Sequence, residues 1–388
     1  MKLFQRLIVA PAALGLLAPL ASNASDVNLI DISNYSNVED TEVVNSFNGN
    51  VESSTLIAGG EGMVNDFDSD SFSETTTASF STDMYIGAVN GRNVSTGVTD
   101  GDEAIEAYYG FQIDLNTSFT GEDSLDISLD AGNSAGAATE MDLNSTTDEA
   151  LTVDGVSYTF PVGEKMTVFV GDNTDASLLY STACVYGGPG NTLDDCGARQ
   201  AALGSGAGTA AGASYDIGNG FTAAVGFSGN GSSNAGLLTK EGDDAYGAQL
   251  TYSADNYGVS VSYAMIEEVG VDHTYWALNG YFTPSEAAGF PSISVGYETG
   301  DVETAGTADT AQYFVGLQWD EMGPGTLGLA MGTDGAFAEN ATEYMIYEAF
   351  YSYPVNDGMT VTPYVYVREQ DANNVDDTGI AVKTSFSF

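Results

Sequence analysis

Apolar and polar residues alternate with a period of two along most of this chain. The run 378–388 is the cleanest case: Ile380, Val382, Thr384, Phe386 and Phe388 fall on one face, Ala381, Lys383, Ser385 and Ser387 on the other. Successive strand side chains point to opposite sides, so this reads as a strand with one apolar and one polar face. Residues 105–115 repeat the pattern, with Ile105, Ala107, Tyr109, Phe111, Ile113 and Leu115 opposing Glu106, Tyr108, Gly110, Gln112 and Asp114. It returns where Leu125, Ile127, Leu129 and Ala131 interleave with Asp126, Ser128 and Asp130. Buried in a two-layer sandwich these carboxylates would be costly; facing water inside a barrel they cost little.

Period-two segments predict strands at 77–89, 103–118, 124–132, 151–162, 166–171, 206–217, 221–229 and 244–253. The second half adds 257–266, 273–283, 290–298, 309–319, 326–333, 341–353, 359–369 and 378–388, sixteen in all. An even number suits a single-chain barrel. Links after even strands are short, as at Gly163-Glu164-Lys165, Gly218-Asn219-Gly220 and Ala254-Asp255-Asn256. After most odd strands they are longer, as at 133–150, 172–205 and 230–243. Short turns at one rim and long loops at the other predict an all-β, 16-stranded antiparallel transmembrane barrel over residues 73–388. Its short turns and both termini would be periplasmic. A propeller or solenoid would show a repeated motif, and none is visible.

The opening MKLFQRLIVAPAALGLLAPLASNA carries Lys2 and Arg6, an apolar run Leu7–Leu20 and the small-residue site Ser22-Asn23-Ala24. This predicts an export signal over 1–24, with cleavage after Ala24. No other stretch approaches the roughly 18 apolar residues of a spanning helix, so a membrane location requires a closed barrel. Without the signal, six basic residues face 55 acidic ones, a net charge of about −49. That excludes nucleic acid as a partner, because its phosphates need Lys and Arg. It suits solubility in salty surroundings, a field that gathers cations at a pore, or both. Residues 25–72, rich in Asp, Asn and Ser, read as an acidic, partly disordered periplasmic extension. Asp66, Asp68 and Asp70 resemble the start of a calcium loop, but Ser71 and Thr77 replace its Gly and Glu. A solvated linker is the better reading, and no metal or cofactor is expected.

The longest connection, 172–205, holds both cysteines, Cys184 and Cys196, and Asp194-Asp195. Two cysteines in one loop of an exported chain read as a disulfide. A zinc site needs further ligands, and the single histidine, His273, lies elsewhere.

Several segments resemble the porins of marine cyanobacteria. MKLFQRLIVAPAALGLLAPLASNAS is similar to their export signal, and Asp26-Val27-Asn28-Leu29-Ile30 to the segment after it. Tyr158-Thr159-Phe160-Pro161-Val162-Gly163, then Thr167 to Gly171, resembles a hairpin of the family. Leu179-Tyr180-Ser181-Thr182-Ala183-Cys184 resembles its third-loop motif, and Tyr215-Asp216-Ile217-Gly218-Asn219-Gly220-Phe221 its next hairpin. The resemblance implies a sixteen-stranded, commonly trimeric porin with its third long loop folded into the channel. It further implies that Phe388 closes an assembly signal for the barrel-assembly machinery, and an outer-membrane location. Typical members carry a surface-layer-homology domain and a coiled-coil-like stretch before the barrel, and residues 31–72 are too short for both.

The polar faces offer Glu106, Gln112, Asp114, Asp126, Asp130, Glu348, Arg368 and Lys383 as pore-lining groups. Asp194, Asp195 and Arg199 would line the narrowest point. Arg368 and Lys383 read either as the lumen's main positive groups or as neutralisers of Glu348. Tyr252, Tyr263, Phe282, Trp319 and Phe386 suit lipid-facing girdles, whereas Tyr108, Tyr364 and Tyr366 sit where sugars could stack. Catalysis finds little support: His273 lacks a partner motif, and Gly204-Ser205-Gly206-Ala207-Gly208 lacks the Lys-Ser/Thr of a phosphate loop. The sequence thus predicts passive diffusion of small hydrophilic solutes with a bias towards cations. The alternatives are a selective sugar or iron-uptake porin and a plugged structural or adhesive barrel.

Overall fold

The computed structural model describes residues 75–90, 105–134, 143, 149–190, 193, 196–203, 208–268, 271–285, 289–302, 308–339, 341–369 and 376–388. The export signal, the extension 25–72, and Asp194 and Asp195 lie outside these residues. The first eight strands are β1 (Thr76–Asn90), β2 (Glu106–Thr117), β3 (Ser124–Gly132), β4 (Thr152–Val162), β5 (Met166–Thr174), β6 (Gly208–Gly218), β7 (Phe221–Gly229) and β8 (Asp244–Ser253). Then come β9 (Tyr257–Glu268), β10 (Val271–Phe282), β11 (Ser292–Val302), β12 (Thr310–Met322) and β13 (Gly325–Thr333). The last are β14 (Phe337–Ala338), β15 (Met345–Asn356), β16 (Met359–Arg368) and β17 (Asp377–Ser387).

β14 is a two-residue strand in a connection, paired to β12 at Thr310 and Ala311. The other sixteen strands form a closed antiparallel ring, in which β17 pairs back on β1 from Ser81↔Ser387 to Asn90↔Thr378. Closure removes the open edge that lipid could not satisfy. All sixteen segments predicted from period two are present. One connection departs from the expected rhythm: β9 ends at Glu268 and β10 begins at Val271, where a longer loop would follow the rule.

Side chains directly opposite across an antiparallel pair share a face, so the register carries one sidedness around the whole ring. Val259, Val261, Trp276, Leu278, Val295 and Tyr297 stand outward and exposed, Trp276 and Leu278 each at 54%. Ser260, Ser262, Asn279, Ser294 and Glu298 take the opposite face and are buried. A barrel with apolar residues outside and polar residues inside is built for lipid.

The seam where the ends meet is fixed by reciprocal backbone bonds. Phe388 N donates to Phe80 O (3.0 Å) and Phe80 N to Phe388 O (2.9 Å). The two rings stack at 5.7 Å. The terminal aromatic therefore belongs to the closure of the sheet.

The turn after β2 is organised by Asp123. Its Oδ1 accepts from Phe119 N (2.9 Å), Thr120 N (2.8 Å) and the Ser118 hydroxyl (2.8 Å), and its Oδ2 from the Tyr158 hydroxyl (2.6 Å). The Tyr158 bond, with those from the turn, outweighs partial desolvation and holds the carboxyl well below the ordinary carboxylate range. A depressed folded value stabilises above the unfolded value of 3.8 and is lost as pH falls through the folded one. Asp123→Asn should therefore flatten the loss of stability on acidification below that value. Heat-modifiability across a pH series checks this; parallel acid profiles for variant and wild type would remove Asp123 from that role.

Candidate functional site

The connection after β5 folds into the barrel, and its backbone is seated by the wall's side chains. Ser181 N donates to Gln249 Oε1 on β8 (2.6 Å) and Ala183 N to Ser260 Oγ on β9 (2.9 Å). Val185 N donates to Ser294 Oγ on β11 (3.0 Å) and Gly187 N to Gln318 Oε1 on β12 (3.0 Å). An extended chain presents its N–H groups to one side at alternate residues. Every second residue of Ser181–Gly187 thus finds one acceptor as it crosses the strands. The Thr251 hydroxyl adds a bond to Ser181 O (2.8 Å), and Gln249 Nε2 one to the Thr182 hydroxyl (2.9 Å).

A returning arm is seated the same way. Asn279 Nδ2 donates to Cys196 O (3.0 Å), and Ala201 N to Glu298 Oε2 (2.7 Å). Glu298 is 1% exposed and also accepts from Gln312 Nε2 (2.7 Å), which offsets the cost of burying its carboxylate. A disulfide between Cys184 and Cys196 ties the two arms together, as the sequence implied.

The wall is made shallow where the loop lies. A Cβ on Gly296 would overlap the Cys196 carbonyl oxygen, and one on Gly226 the Ala176 carbonyl oxygen. At Gly316 it would approach the Tyr186 ring to 2.8 Å and at Gly332 the Leu193 side chain to 2.6 Å. These inward glycines form a bed for the loop.

The loop's Tyr186 reaches further round, packing on Phe314 (5.4 Å) and Phe350 (5.8 Å). Its hydroxyl donates to Glu348 Oε1 (2.5 Å), and that of Tyr364 to Glu348 Oε2 (3.3 Å). Burial first, then the Glu348 carboxylate, pushes the Tyr186 hydroxyl far above its ordinary pKa, so it stays a donor. Beside it, Tyr85, Phe350, Tyr364 and Tyr366 pack with Leu143, which comes from the connection after β3. Tyr364 is 2% and Tyr366 3% exposed, so neither offers an open ring for a sugar. That corrects the stacking reading for both; Tyr108 is half-buried against Tyr85 (6.1 Å).

Glu106, Gln112 and Asp114 occupy the inner face of β2, and Asp126 and Asp130 that of β3. Asp114 accepts from Gln112 Nε2 (2.8 Å) and the Ser128 hydroxyl (2.6 Å), Asp126 from the Ser124 hydroxyl (2.7 Å), and Asp130 from the Thr152 hydroxyl (2.7 Å). The register sets Asp114 against Ser128, Asp126 against Asn116 and Asp130 against Gln112. No carboxylate in that pair of strands faces another directly, which limits repulsion while concentrating charge.

Lys383 Nζ pairs with Asp83 Oδ2 (3.1 Å) and Arg368 Nε with Asp334 Oδ1 (3.3 Å). The Glu348 carboxylate itself accepts from the hydroxyls of Tyr186 and Tyr364. Arg199 is exposed on the returning arm. His273 lies at the start of β10, its ring 6.5 Å from that of Tyr275. No group of three or more His, Cys, Asp or Glu among the described residues could hold a metal. Beside β3 and β4 lies a cavity of ≈ 590 Å³, bounded also by Asn173–Leu179. Sequence reasoning missed the loop's seat: Gln249, Ser260, Ser294, Glu298 and the bed of glycines. The available signal was a change on the inward positions, from acids on β2 and β3 to Gly, Ser, Asn and Gln on β7–β13.

A closed barrel with an inward-folded loop is a porin-type architecture, and solved structures bear out the fold. OprB of Pseudomonas putida superposes with a TM-score of 0.58 at 10% identity, covering 81% of this chain and 94% of that one. An anion-selective porin from Comamonas acidovorans gives 0.57 at 14%, covering 81% and 99%. A loop-deletion mutant of OmpT, an outer membrane protein of Vibrio cholerae, gives 0.55 at 12%, covering 81% and 100%. No sequence-family model and no curated protein matches the chain.

Proposed function

We propose that the protein is an outer-membrane porin, a passive aqueous channel for small hydrophilic solutes with a preference for cations. The observation that carries this is the seated loop. It lies against the inner wall from β8 to β12, while carboxylates of β2 and β3 line the inner face outside that stretch. Constriction by a fixed loop and selection by lining charge require no chemical step and no cofactor. The likeness to OprB and to the Comamonas porin supports a channel. The anion selectivity of the latter is its own, and the acidic inner face here supports the opposite sign. The apolar outer band and the export signal support the outer membrane of a Gram-negative-type bacterium. The cyanobacterial resemblance supports a homotrimer assembled through the C-terminal strand.

A plugged barrel is the second reading, favoured by the packing of Leu143 over the inner aromatic cluster. Current through single molecules in a planar bilayer under a KCl gradient separates the two. Stable steps with a reversal potential favouring K⁺ are expected. Silence from a folded, heat-modifiable barrel would replace the channel with the plug.

A further inference from the structure

We propose that the cavity beside β3 and β4 is a solute subsite selective for small hydroxylated organic ammonium ions. The proposal rests on the channel reading and names the solutes that the channel would hold longest. Among the described residues, two inward elements occupy parts of the lumen. The seated loop crosses β8, β9, β11 and β12, and Leu143 covers Tyr85, Tyr364 and Tyr366 on β1 and β16. Beside β3 and β4 lies a space of ≈ 590 Å³, lined also by the end of β5 and by the first residues of the loop. That size falls within the range of about 300–1,000 Å³ typical of small-molecule sites.

The lining sets the chemistry. Carboxylates come from three separate elements: Asp126 on β3, Asp154 on β4 and Asp175 on the loop. Hydroxyls of Ser128, Ser157 and Thr159 line the wall between them, and Leu178 and Leu179 add an apolar patch. Among the described residues no lysine or arginine lines it. An anion is repelled. A neutral sugar pairs with the hydroxyls but leaves the charge unmatched. A bare inorganic cation makes no use of the leucines, and the carboxylates do not converge as a metal-binding group among the described residues. A compact solute with an ammonium group, several hydroxyls and a carbon face uses all three parts of the lining.

Glucosamine and glucose are the test pair, alike in shape and differing in the ammonium group. Calorimetry on the full-length barrel in detergent should show glucosamine binding and no heat from glucose beyond dilution. Asp154→Asn and Asp175→Asn should each weaken glucosamine about tenfold, the effect of losing one charge-assisted hydrogen bond. Asp175 lies in the loop, so its variant reports the site even if the change on β4 disturbs the sheet. Equal heats for the two sugars, or unaltered glucosamine affinity in both variants, overturn the proposal. KCl steps measured on the same samples keep it apart from the channel reading. Steps without glucosamine binding sink the subsite alone; binding without steps supports the subsite and sinks the channel.

Discussion

Gly296→Val should widen the channel, raising single-channel conductance on the order of twofold as the constriction loosens. The inner face of β11 at Gly296 is in contact with the backbone of the returning arm. A Cβ there would overlap the Cys196 carbonyl oxygen and stand 2.7 Å from Asn279 Nδ2. The obstacle is backbone, tied through the disulfide to the other arm, so no side-chain rotation relieves it. The sheet around Gly296 is held by hydrogen bonds on both sides; the loop rests on side-chain acceptors and moves first. Lifting it breaks the bond from Asn279 to Cys196 O and draws Ala201 N away from Glu298. Overpacking typically costs about 1–3 kcal/mol, which a closed sixteen-stranded sheet tolerates. Gly280→Ala is the control. Gly280 faces outward on β10, where an added Cβ meets its nearest neighbour at an ordinary 3.4 Å. Conductance of Gly296→Val equal to that of Gly280→Ala would mean that the loop does not set the bore.

The sheet was legible because one physical rule governs every strand. Lipid outside and water inside impose period two, and the segments at 124–132, 221–229 and 244–253 match β3, β7 and β8 residue for residue. The same rule assigns the faces: parity alone puts Glu106, Asp114 and Asp126 on the polar side of their strands. What the wall does beyond that was not legible. Ser260 and Ser294 could not be singled out, because a residue's parity carries no information about a loop distant in sequence. Ala183 and Ser260 are 77 residues apart and Val185 and Ser294 109, so only the fold brings donor to acceptor. Tyr364 and Tyr366 misled in the same way. Their inward face was correctly read, but Leu143 and Phe350 bury them. The pairing of Lys383 with Asp83 depends on β1 closing on β17, a contact between the two ends of the barrel.

Asparagine at 114, 126 and 130 together should abolish most of the cation preference at low salt while leaving the barrel as stable as before. The three carboxylates share the inner face of two adjacent strands, and each accepts a bond from a neutral hydroxyl or amide donor. Asparagine keeps an acceptor oxygen for those bonds, so the change removes charge more than structure. Neutralisation also relieves mutual repulsion, so any stability change should be small or favourable. The permeability ratio of K⁺ to Cl⁻ should fall several-fold at about 10 mM KCl, where the screening length is roughly 30 Å and wall charges act across a lumen. At about 1 M, with a screening length near 3 Å, variant and wild type should converge. Glu164→Gln, which removes an exposed carboxylate in the turn between β4 and β5, serves as the control for net charge. A triple variant with the wild-type ratio at low salt would place the selectivity on the loop, and the acids of β2 and β3 would then serve only the hydration of the wall. A shared fall in the triple variant and in Glu164→Gln would trace the preference to the field of the whole acidic chain.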